Sequence, residues 1–306
     1  MDNSRSASAL RTAASALRTE GVGVSFGGLR ALHKVDIEVG AGEIVGVLGP
    51  NGAGKTTLFD CVSGFVACEG RVFVGDVEVT SKPPHERAAA GLGRSFQDAR
   101  LFHTMSVLDT LRVASELRMR HADSLSSLLR LPNSRTAEAR ATRSALQLVD
   151  LMGLSSYRDK LIKELSTGTR RIVDLACVLI QRPSIVLLDE PSSGIAQREA
   201  EALGPLLVSL RDRIGCALLV IEHDMPLLLG IAQRVYALET GRVIASGKPR
   251  DVVRHPEVVR SYLGDDPAAI ERSGVRGVRG PQRGASGRGV RGSQRAAAKR
   301  RAEGPR

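Results

Sequence analysis

The stretch GPNGAGKTT, residues 49–57, constrains the fold more than any other part of this sequence. It matches the phosphate-binding pattern G-x-x-x-x-G-K-[ST] in full, and it follows the apolar segment IVGVL. Glycines allow successive backbone N–H groups to turn inward around phosphate oxygens, and the N-terminus of a following helix adds partial positive charge. The sequence therefore predicts a buried strand, a phosphate-binding loop and a helix that opens within TTLFDCVSG.

The whole loop is the candidate phosphate-binding site. Its residues are Gly49, Pro50, Asn51, Gly52, Ala53, Gly54, Lys55, Thr56 and Thr57. We expect the ammonium of Lys55 to reach the β- and γ-phosphates of ATP, and the hydroxyl of Thr56 to ligate Mg²⁺. The alternative is a glycine-rich turn that precedes a helix by chance. The register of strand, loop, lysine and threonine argues against it.

A second buried strand ends in two carboxylates, in IVLLDEP at residues 185–191. Ligands of parallel α/β sheets bind at the carboxyl ends of the strands, so Asp189 is expected at the same edge as the phosphate loop. We predict that Asp189 holds Mg²⁺ through water and that Glu190 is the general base that polarises the attacking water. A strand that simply ends in charge is common, and the upstream loop is what favours the functional interpretation.

Two further polar residues are candidates for the reaction. His223, in VIEHDM, follows another buried strand and stands where its side chain could touch a γ-phosphate. A lone histidine is more often a surface or core residue, but its place 33 residues after Glu190 favours a catalytic role. Gln97, in RSFQ, could bring its amide to Mg²⁺ and to the attacking water; a single glutamine is weak evidence by itself.

Composition favours a core of small aliphatic residues. Hydrophobic residues make up 42% of the 306 residues, aromatic residues only 3%, and there is no Trp. No apolar run approaches the roughly 18 residues of a membrane span, and the N-terminus lacks the apolar region of a secretory signal. The four cysteines show no metal-ligand spacing, so we expect buried thiols in a reducing cytoplasm.

The formal net charge of +11 belongs mainly to a C-terminal tail. Residues 272–306 contain eleven Arg or Lys and one Glu, which is +10, so the rest of the chain sums to about +1. Residues 265–306 are rich in Gly and Arg, repeat GVRG-x-QR twice, and predict disorder. A solvated appendage, contact with anionic lipid and non-specific contact with nucleic acid all remain open for this tail.

The remaining patterns divide the chain into strand-rich and helix-rich parts. VGVSF, KVDIEV and RVFVGDVEV alternate like half-exposed strands, whereas Val107 to about Glu164 is helical with a polar break near PNSRT. RVYALETGRVIASG predicts a hairpin that turns at Thr240–Gly241, and DVVRHPEVVRSYLG predicts a closing helix. Residues 1–19 are expected to form a flexible leader.

The order of these motifs resembles the nucleotide-binding subunit of ATP-binding-cassette (ABC) transporters over about residues 20–264. VSFGGLRAL, GPNGAGKTTLFD, GLGRSFQDARLF, SLLRLPNSR and the terminal SYLG are similar to the branched-chain amino acid importer subgroup. The resemblance implies an α/β fold: a P-loop NTPase ABC cassette with a parallel-sheet core, an antiparallel β subdomain near the N-terminus and an α-helical subdomain at about 98–170.

The resemblance also implies a head-to-tail dimer that closes on two ATP molecules. ELSTGTRR, residues 164–171, stands where the family places its LSGGQ signature, so Ser166 and Gly168 are expected to cap the γ-phosphate held by the other subunit. Thr167 and Thr169 depart from that pattern, and Ala196 replaces an Asp or Asn that normally crosses the dimer contact. Phe26 matches the aromatic that stacks on adenine; a buried strand residue is the equally open alternative.

By this resemblance the chain is an ATPase subunit that powers solute import from the cytoplasmic face of the membrane. The implied partners are transmembrane permease subunits, a second ATPase subunit and a substrate-binding protein. A lipid-exporter ATPase is an alternative. A soluble ABC ATPase that acts on nucleic acid is disfavoured, since those proteins usually carry two cassettes or a coiled-coil insertion and this chain has one phosphate loop.

Overall fold

The computed structural model describes residues 15–96, 101–119, 133–195 and 197–263. The strands are β1 (Ser15–Phe26), β2 (Leu29–Val35), β3 (Glu38–Gly40), β4 (Ile44–Leu48), β5 (Glu69–Val74), β6 (Val77–Glu78), β7 (Leu92–Arg94), β8 (Ile185–Asp189), β9 (Ala217–Ile221), β10 (Arg234–Glu239) and β11 (Arg242–Gly247). The helices are α1 (Lys55–Ser63), α2 (Pro84–Ala89), α3 (Val107–Met119), α4 (Asn133–Leu151), α5 (Thr167–Leu179), α6 (Gln197–Ile214), α7 (Met225–Ile231), α8 (Pro249–Val252) and α9 (Pro256–Leu263). Short 3-10 turns cover Ser155–Tyr157 and Ile162–Glu164.

Two sheets form the framework. The larger sheet has the order β11-β10-β4-β9-β8-β7, in which only β11 runs antiparallel to its neighbour. The smaller sheet is antiparallel, with the order β2-β1-β5-β6 and β3 paired to β1. The expected parallel core and antiparallel β subdomain are thus confirmed.

Strand β4 lies at the centre of the larger sheet and is buried on both faces. Ile44 and Leu48 pack into one hydrophobic core with helices α3, α4, α5 and α6, whereas Val45 and Val47 pack into a second core with α1 and the antiparallel sheet. A strand covered on both faces carries apolar residues at every position, which explains the uninterrupted IVGVL.

The expected leader is wrong for residues 15–19, because β1 already begins at Ser15. Leu17 is fully buried and pairs with Val39 on one side and Val74 on the other. The Ala-rich composition concealed a strand whose pairing partners lie more than 20 residues away. Residues 1–14 and the tail 264–306 lie outside the described residues.

Three element boundaries also differ from the expectation. KVDIEV is divided between β2 and β3, α4 begins at Asn133 inside the expected polar break, and the closing segment forms two helices because Pro256 starts α9. The hairpin turn at Thr240–Gly241 is confirmed, with positive φ at both residues, as a tight two-residue turn requires.

Two minor expectations have simple outcomes. All four cysteines are free; Cys61 and Cys216 are buried, and Cys68 and Cys177 are half-buried. Among the described residues, no helix is both long and apolar enough to cross a membrane.

Arg87 of α2 joins the end of α1 to the loop after β6. Its guanidinium is 2% exposed and donates to the carbonyl oxygens of Lys82 (2.8 Å), Thr80 (2.7 Å), Cys61 (2.7 Å) and Val62 (2.8 Å). Burial lowers the pKa of Arg87. The guanidinium therefore donates to four carbonyl groups at the end of α1 and in the loop after β6, of which that of Cys61 also accepts from the N–H of Gly64.

Replacing this residue should destabilise the protein strongly. Arg87→Met removes a donor from all four carbonyl oxygens, of which that of Cys61 keeps the N–H of Gly64, and we expect the free energy of unfolding to fall by at least ~3 kcal/mol. Urea unfolding followed by circular dichroism measures the change. Arg71→Met is the matched control, because the Arg71 side chain is 58% exposed and its ion pair with Glu20 should contribute less than ~1 kcal/mol. Equal losses in the two variants would contradict this role of Arg87.

Candidate phosphate-binding and hydrolytic site

The parallel register brings three motifs to one edge of the larger sheet. Val47 of β4 lies beside Ile221 of β9, and Ile221 lies beside Asp189 of β8. The segments that follow these strands therefore leave the sheet side by side. They carry the phosphate loop, the carboxylate pair and His223, so the structure brings together the residues that sequence analysis placed at this edge.

The phosphate loop leaves β4 through Gly49, which has φ of 153°. A Cβ atom at this position would lie 2.4 Å from the carbonyl oxygen of Leu238 in β10. Only glycine permits this approach. Beyond Gly49 the loop is mixed in exposure: Asn51, Gly52 and Thr56 are exposed, Ala53 is buried, and Pro50, Gly54 and Thr57 are half-buried.

Lys55 points back across this loop. Its ammonium is nearly buried and donates to the carbonyl oxygens of Gly49 at 2.7 Å and Pro50 at 3.0 Å. Burial lowers the pKa of Lys55, and the carboxylates of Glu190 and Asp189 oppose that shift. The positive charge of the loop thus lies within electrostatic reach of both predicted catalytic carboxylates.

Asp189 ends β8 close to the guanidinium of Arg94, with 3.8 Å between Asp189 Oδ2 and Arg94 Nη2. Burial raises the pKa of Asp189, Arg94 and Lys55 lower it, and Glu190 and Asp60 add to the rise. Arg94 also contacts Asp60 of α1 at 2.8 Å. Arg94 therefore ties the helix after the phosphate loop to Asp189, the predicted Mg²⁺ ligand, a role that the position of Arg94 in the sequence did not indicate.

Magnesium fits the side chains at this edge. Mg²⁺ binds oxygen ligands, retains several waters and typically takes one or two protein ligands together with substrate phosphates. Thr56 supplies a hydroxyl and Asp189 a carboxylate, so no further protein ligand is required. Among the described residues there is no cluster of three or more His, Cys, Asp or Glu of the kind that forms an all-protein metal site.

Glu190 and His223 form a contact across the ends of β8 and β9. His223 Nε2 and Glu190 Oε1 are 2.9 Å apart, and which atom donates depends on the histidine tautomer. Glu190 has φ of 49°. Its N–H donates to the carbonyl of Ile221, and its own carbonyl accepts from Arg171 of α5. The backbone of Glu190 is thus held through both its N–H and its carbonyl group, while its carboxylate contacts His223.

A buried carboxylate that sequence analysis missed connects the two loops of this pair. Glu222 is 2% exposed and accepts from the N–H of Ser192 at 2.7 Å, the hydroxyl of Ser192 at 2.8 Å and the N–H of His223 at 3.1 Å. These bonds join the segment after β8 to the segment after β9. A carboxylate directly after a buried strand and before His223 was the available signal.

The signature stretch forms the N-terminus of α5. Ser166 is the N-cap, and its oxygen accepts from the N–H of Thr169 at 3.1 Å. Its hydroxyl lies 3.0 Å from Glu199 of α6, to which it donates. Gly168 makes room for this carboxylate, since a Cβ there would lie 2.1 Å from Glu199 Oε2. Glu199 was not predicted from the sequence, because its contact spans 33 residues.

The two threonines of this stretch fit into the helix start. Thr167 is the first residue of α5, so its backbone is helical, a conformation that its β-branched side chain allows. Thr169 is buried, with its hydroxyl 2.9 Å from that of Ser166. The side chain of Thr169 therefore packs inside the loop.

The remaining candidates have different outcomes. Phe26, at the end of β1, is 51% exposed, so the buried-strand alternative is wrong and adenine stacking stays a prediction. Gln97 and Ala196 lie outside the described residues.

A small cavity separates α5, α6 and the end of β8. It is lined mainly by apolar side chains, including Ile172, Leu175, Leu203 and Leu206, and also by Asp174. Burial raises the pKa of Asp174 to about 6, and Arg171 opposes the shift. The helix of the signature stretch thus carries a carboxyl group in surroundings that favour its protonated form.

The stability of the protein should depend on pH through this group. In the unfolded chain the Asp174 carboxyl has a pKa near 4. Between about pH 4 and pH 6 the unfolded carboxyl therefore loses its proton, while the folded carboxyl keeps it. Because the unfolded state then binds fewer protons, folding becomes less favourable as the pH rises through this range. Asp174→Asn removes this penalty. We expect the melting temperature of the Asn variant to exceed that of the unsubstituted chain at pH 7.5 and to approach it at pH 4. Asp76→Asn, on the exposed turn after β5, is the control; the same pH-dependent gain there would contradict the assignment.

Comparison with known proteins agrees with this fold. Residues 32–193 match the family model described as ABC transporter, and residues 242–268 match the one described as branched-chain amino acid ATP-binding cassette transporter. The ATP-binding cassette of an ABC transporter, solved in its ADP conformation, superposes with a TM-score of 0.70 at 29% identity and covers 82% of this chain and 99% of that one. The expected fold is therefore confirmed.

Curated relatives cover nearly the same length. The high-affinity branched-chain amino acid transport ATP-binding protein LivG of Escherichia coli (strain K12) is 35% identical over 250 residues, which is 81% of this chain and 98% of that protein. The lipopolysaccharide export system ATP-binding protein LptB of the same strain is 34% identical over 251 residues, 82% of this chain and 98% of that protein. The chain belongs to the ABC transporter family, of which it is an ATP-binding cassette with ATPase activity.

Proposed function

We propose that this chain is the ATPase subunit of an importer for branched-chain amino acids. The observation that carries the proposal is the contact between Glu190 and His223, which lies beside Asp189 and the ammonium of Lys55 at one edge of the parallel sheet. A general base, a metal ligand and a phosphate-binding cation are the groups that phosphoryl transfer to water requires.

The phosphate loop would bind ATP through its backbone N–H groups and Lys55. On phosphate binding, the Lys55 ammonium would exchange its carbonyl acceptors at Gly49 and Pro50 for phosphate oxygens. Thr56 and Asp189 would hold Mg²⁺, which neutralises charge on the phosphates when bound. The side chain of Phe26 is exposed, so an adenine ring could stack on it.

Glu190 would take the proton of the attacking water as general base. His223, held at 2.9 Å from Glu190, would orient this carboxylate and contact the γ-phosphate. Glu222 positions His223 through its backbone N–H. Gln97 would contribute its amide to Mg²⁺ and the attacking water.

The signature stretch would act on the nucleotide of a second ATPase subunit, either a copy of this chain or a different one. Ser166 now donates its hydroxyl proton to Glu199. That proton cannot serve a phosphate oxygen at the same time, so the bond to Glu199 would have to break when Ser166 caps a γ-phosphate. Gly168 would let the phosphate approach the N-terminus of α5, where partial positive charge favours an anion.

Family members of this kind are the ATP-binding subunits of membrane transporters. We infer that the chain binds transmembrane permease subunits at the cytoplasmic face of the membrane and serves a periplasmic-type substrate-binding protein. The basic tail, residues 265–306, would lie near anionic lipid in such an assembly.

Import of branched-chain amino acids is favoured over lipid export by the C-terminal part of the chain. Overall identity does not separate the two, since LivG and LptB differ by one percentage point. Residues 242–268, however, match the branched-chain amino acid transporter model, and this segment contains, at residues 261–264, the SYLG that resembles that subgroup.

Replacing the proposed general base should separate binding from turnover. Glu190→Gln keeps the size of the side chain but cannot accept a proton, and we expect ATP hydrolysis to fall at least ~100-fold while binding of MgATP is retained. Phosphate release measures turnover, and uptake of labelled leucine into vesicles that contain the chain with its co-encoded permeases and binding protein measures transport. Glu78→Gln, on the antiparallel sheet, is the control. Full turnover in Glu190→Gln would refute the general base, and turnover without leucine uptake in the unsubstituted system would refute the substrate.

Removing the carboxylate that holds the His223 loop should reduce turnover indirectly. Glu222→Ala leaves the N–H groups of Ser192 and His223 without their acceptor, so His223 should no longer be held beside Glu190. We expect kcat to fall about as far as in His223→Ala, with little further loss in the double variant. Phosphate release from the three variants makes the comparison. Additive losses would show that Glu222 acts independently of His223.

A further inference from the structure

The entry to the phosphate loop is held by a residue far away in the sequence. The N–H of Gly49 donates to the phenol oxygen of Tyr262 at 2.7 Å, across 213 positions of the chain. On the other side of the same residue, the carbonyl of Gly49 accepts from Lys55 at 2.7 Å. Gly49 is thus fixed through both of its backbone polar groups, one by the lysine of the loop and one by helix α9.

Gly49 cannot shift easily toward its neighbour in the sheet. A Cβ atom on Gly49 would lie 2.4 Å from the carbonyl oxygen of Leu238. The backbone of Gly49 is therefore already in close contact with β10. β4 ends at Leu48, which pairs with Ala237 as the last position in the register with β10. The first N–H beyond that register needs an acceptor from another source, and Tyr262 supplies it.

Helix α9 is anchored well enough to serve as a support. Val258 and Val259 are buried, and Val258 belongs to the main core. Tyr262 lies four residues after Val258 and three residues after Val259, which places it one turn further along the helix. Its ring is 39% exposed, yet partial burial raises the pKa of its phenol, which therefore stays neutral at physiological pH. A neutral oxygen accepts the Gly49 N–H without adding negative charge beside bound phosphates.

We propose that Tyr262 is a positioning residue for nucleotide binding, through which the C-terminal helix α9 sets the conformation of the phosphate loop. Tyr262 touches neither the reacting atoms nor the bound phosphates; it acts through Gly49, and through Gly49 on Lys55. This inference rests on the proposed ATP-binding function of the loop. It also gives a physical role to one residue of the segment 242–268, whose family match by itself states none.

The chain offers a matched control for this hydroxyl. Tyr236 in β10 also accepts a backbone N–H with its phenol oxygen, that of Glu38 at 3.1 Å, but Glu38 belongs to β3 and not to the phosphate loop. Tyr262→Phe and Tyr236→Phe therefore each remove a phenol oxygen that accepts a backbone N–H. Tyr236→Phe also removes the contacts of this oxygen with Arg234 Nη1 at 3.3 Å and with the carbonyl of Glu38 at 3.4 Å. Only the bond to Tyr262 involves the phosphate loop.

The test compares nucleotide binding and turnover in the two variants of the full-length chain. For Tyr262→Phe we expect the Kd for MgADP, measured by calorimetry, and the KM for ATP to rise about five-fold, which corresponds to one neutral hydrogen bond. Its kcat should stay within about two-fold of the unsubstituted value. Tyr236→Phe should leave both Kd and KM unchanged, even where its melting temperature falls.

Each alternative outcome counts against the inference. An unchanged Kd and KM in Tyr262→Phe, or equal increases in the two variants, would show that the hydroxyl has no specific role in nucleotide binding. A fall in kcat with unchanged KM would place Tyr262 in the chemical step and overturn a positioning role in binding. If the unsubstituted chain neither bound MgADP nor hydrolysed ATP, the proposed function itself would fail. That outcome is distinct from those above, which all concern the variants.

Discussion

The parallel register of β4, β9 and β8 is the constraint on which the site depends. Each strand is covered on both faces, so its register is set by two hydrophobic cores and not by the functional residues themselves. Because the three strands end at the same edge, the phosphate loop, the Asp189–Glu190 pair and the Glu222–His223 pair leave the sheet as neighbours. A shift of one position in β8 would exchange the side chains that face the two cores and move both carboxylates relative to Lys55.

Opposite charges at this edge compensate one another at short range. Lys55 is nearly buried and lies near two carboxylates. Arg94 links Asp189 to α1. Glu222 accepts hydrogen bonds from the N–H and hydroxyl of Ser192 and from the N–H of His223. Buried charges are costly unless they are paired and hydrogen-bonded. The arrangement therefore keeps several ionisable groups inside the protein, and each of them is positioned by a strand end or by a helix that packs on the sheet.

Local patterns were sufficient for the parts of the fold that the sequence predicted well. The phosphate loop, the carboxylate strand β8 and the turn at Thr240–Gly241 each depend on a few consecutive residues. The start of β1 was missed because Leu17 is buried only by partners more than 20 residues away. The contacts of Ser166 with Glu199 and of Gly49 with Tyr262 likewise join distant segments, and no spacing in the chain indicates them.

The central claim is that ELSTGTRR acts as a signature on the phosphate of a second subunit, despite its two threonines. Vanadate trapped with MgADP occupies the γ-phosphate position, and ultraviolet light then cleaves the backbone next to it. Mass spectrometry of the fragments should show cleavage both within residues 49–57 and beside Ser166 when two subunits close on the nucleotide. Cleavage confined to residues 49–57, under conditions in which the chain hydrolyses ATP, would contradict a capping role for Ser166.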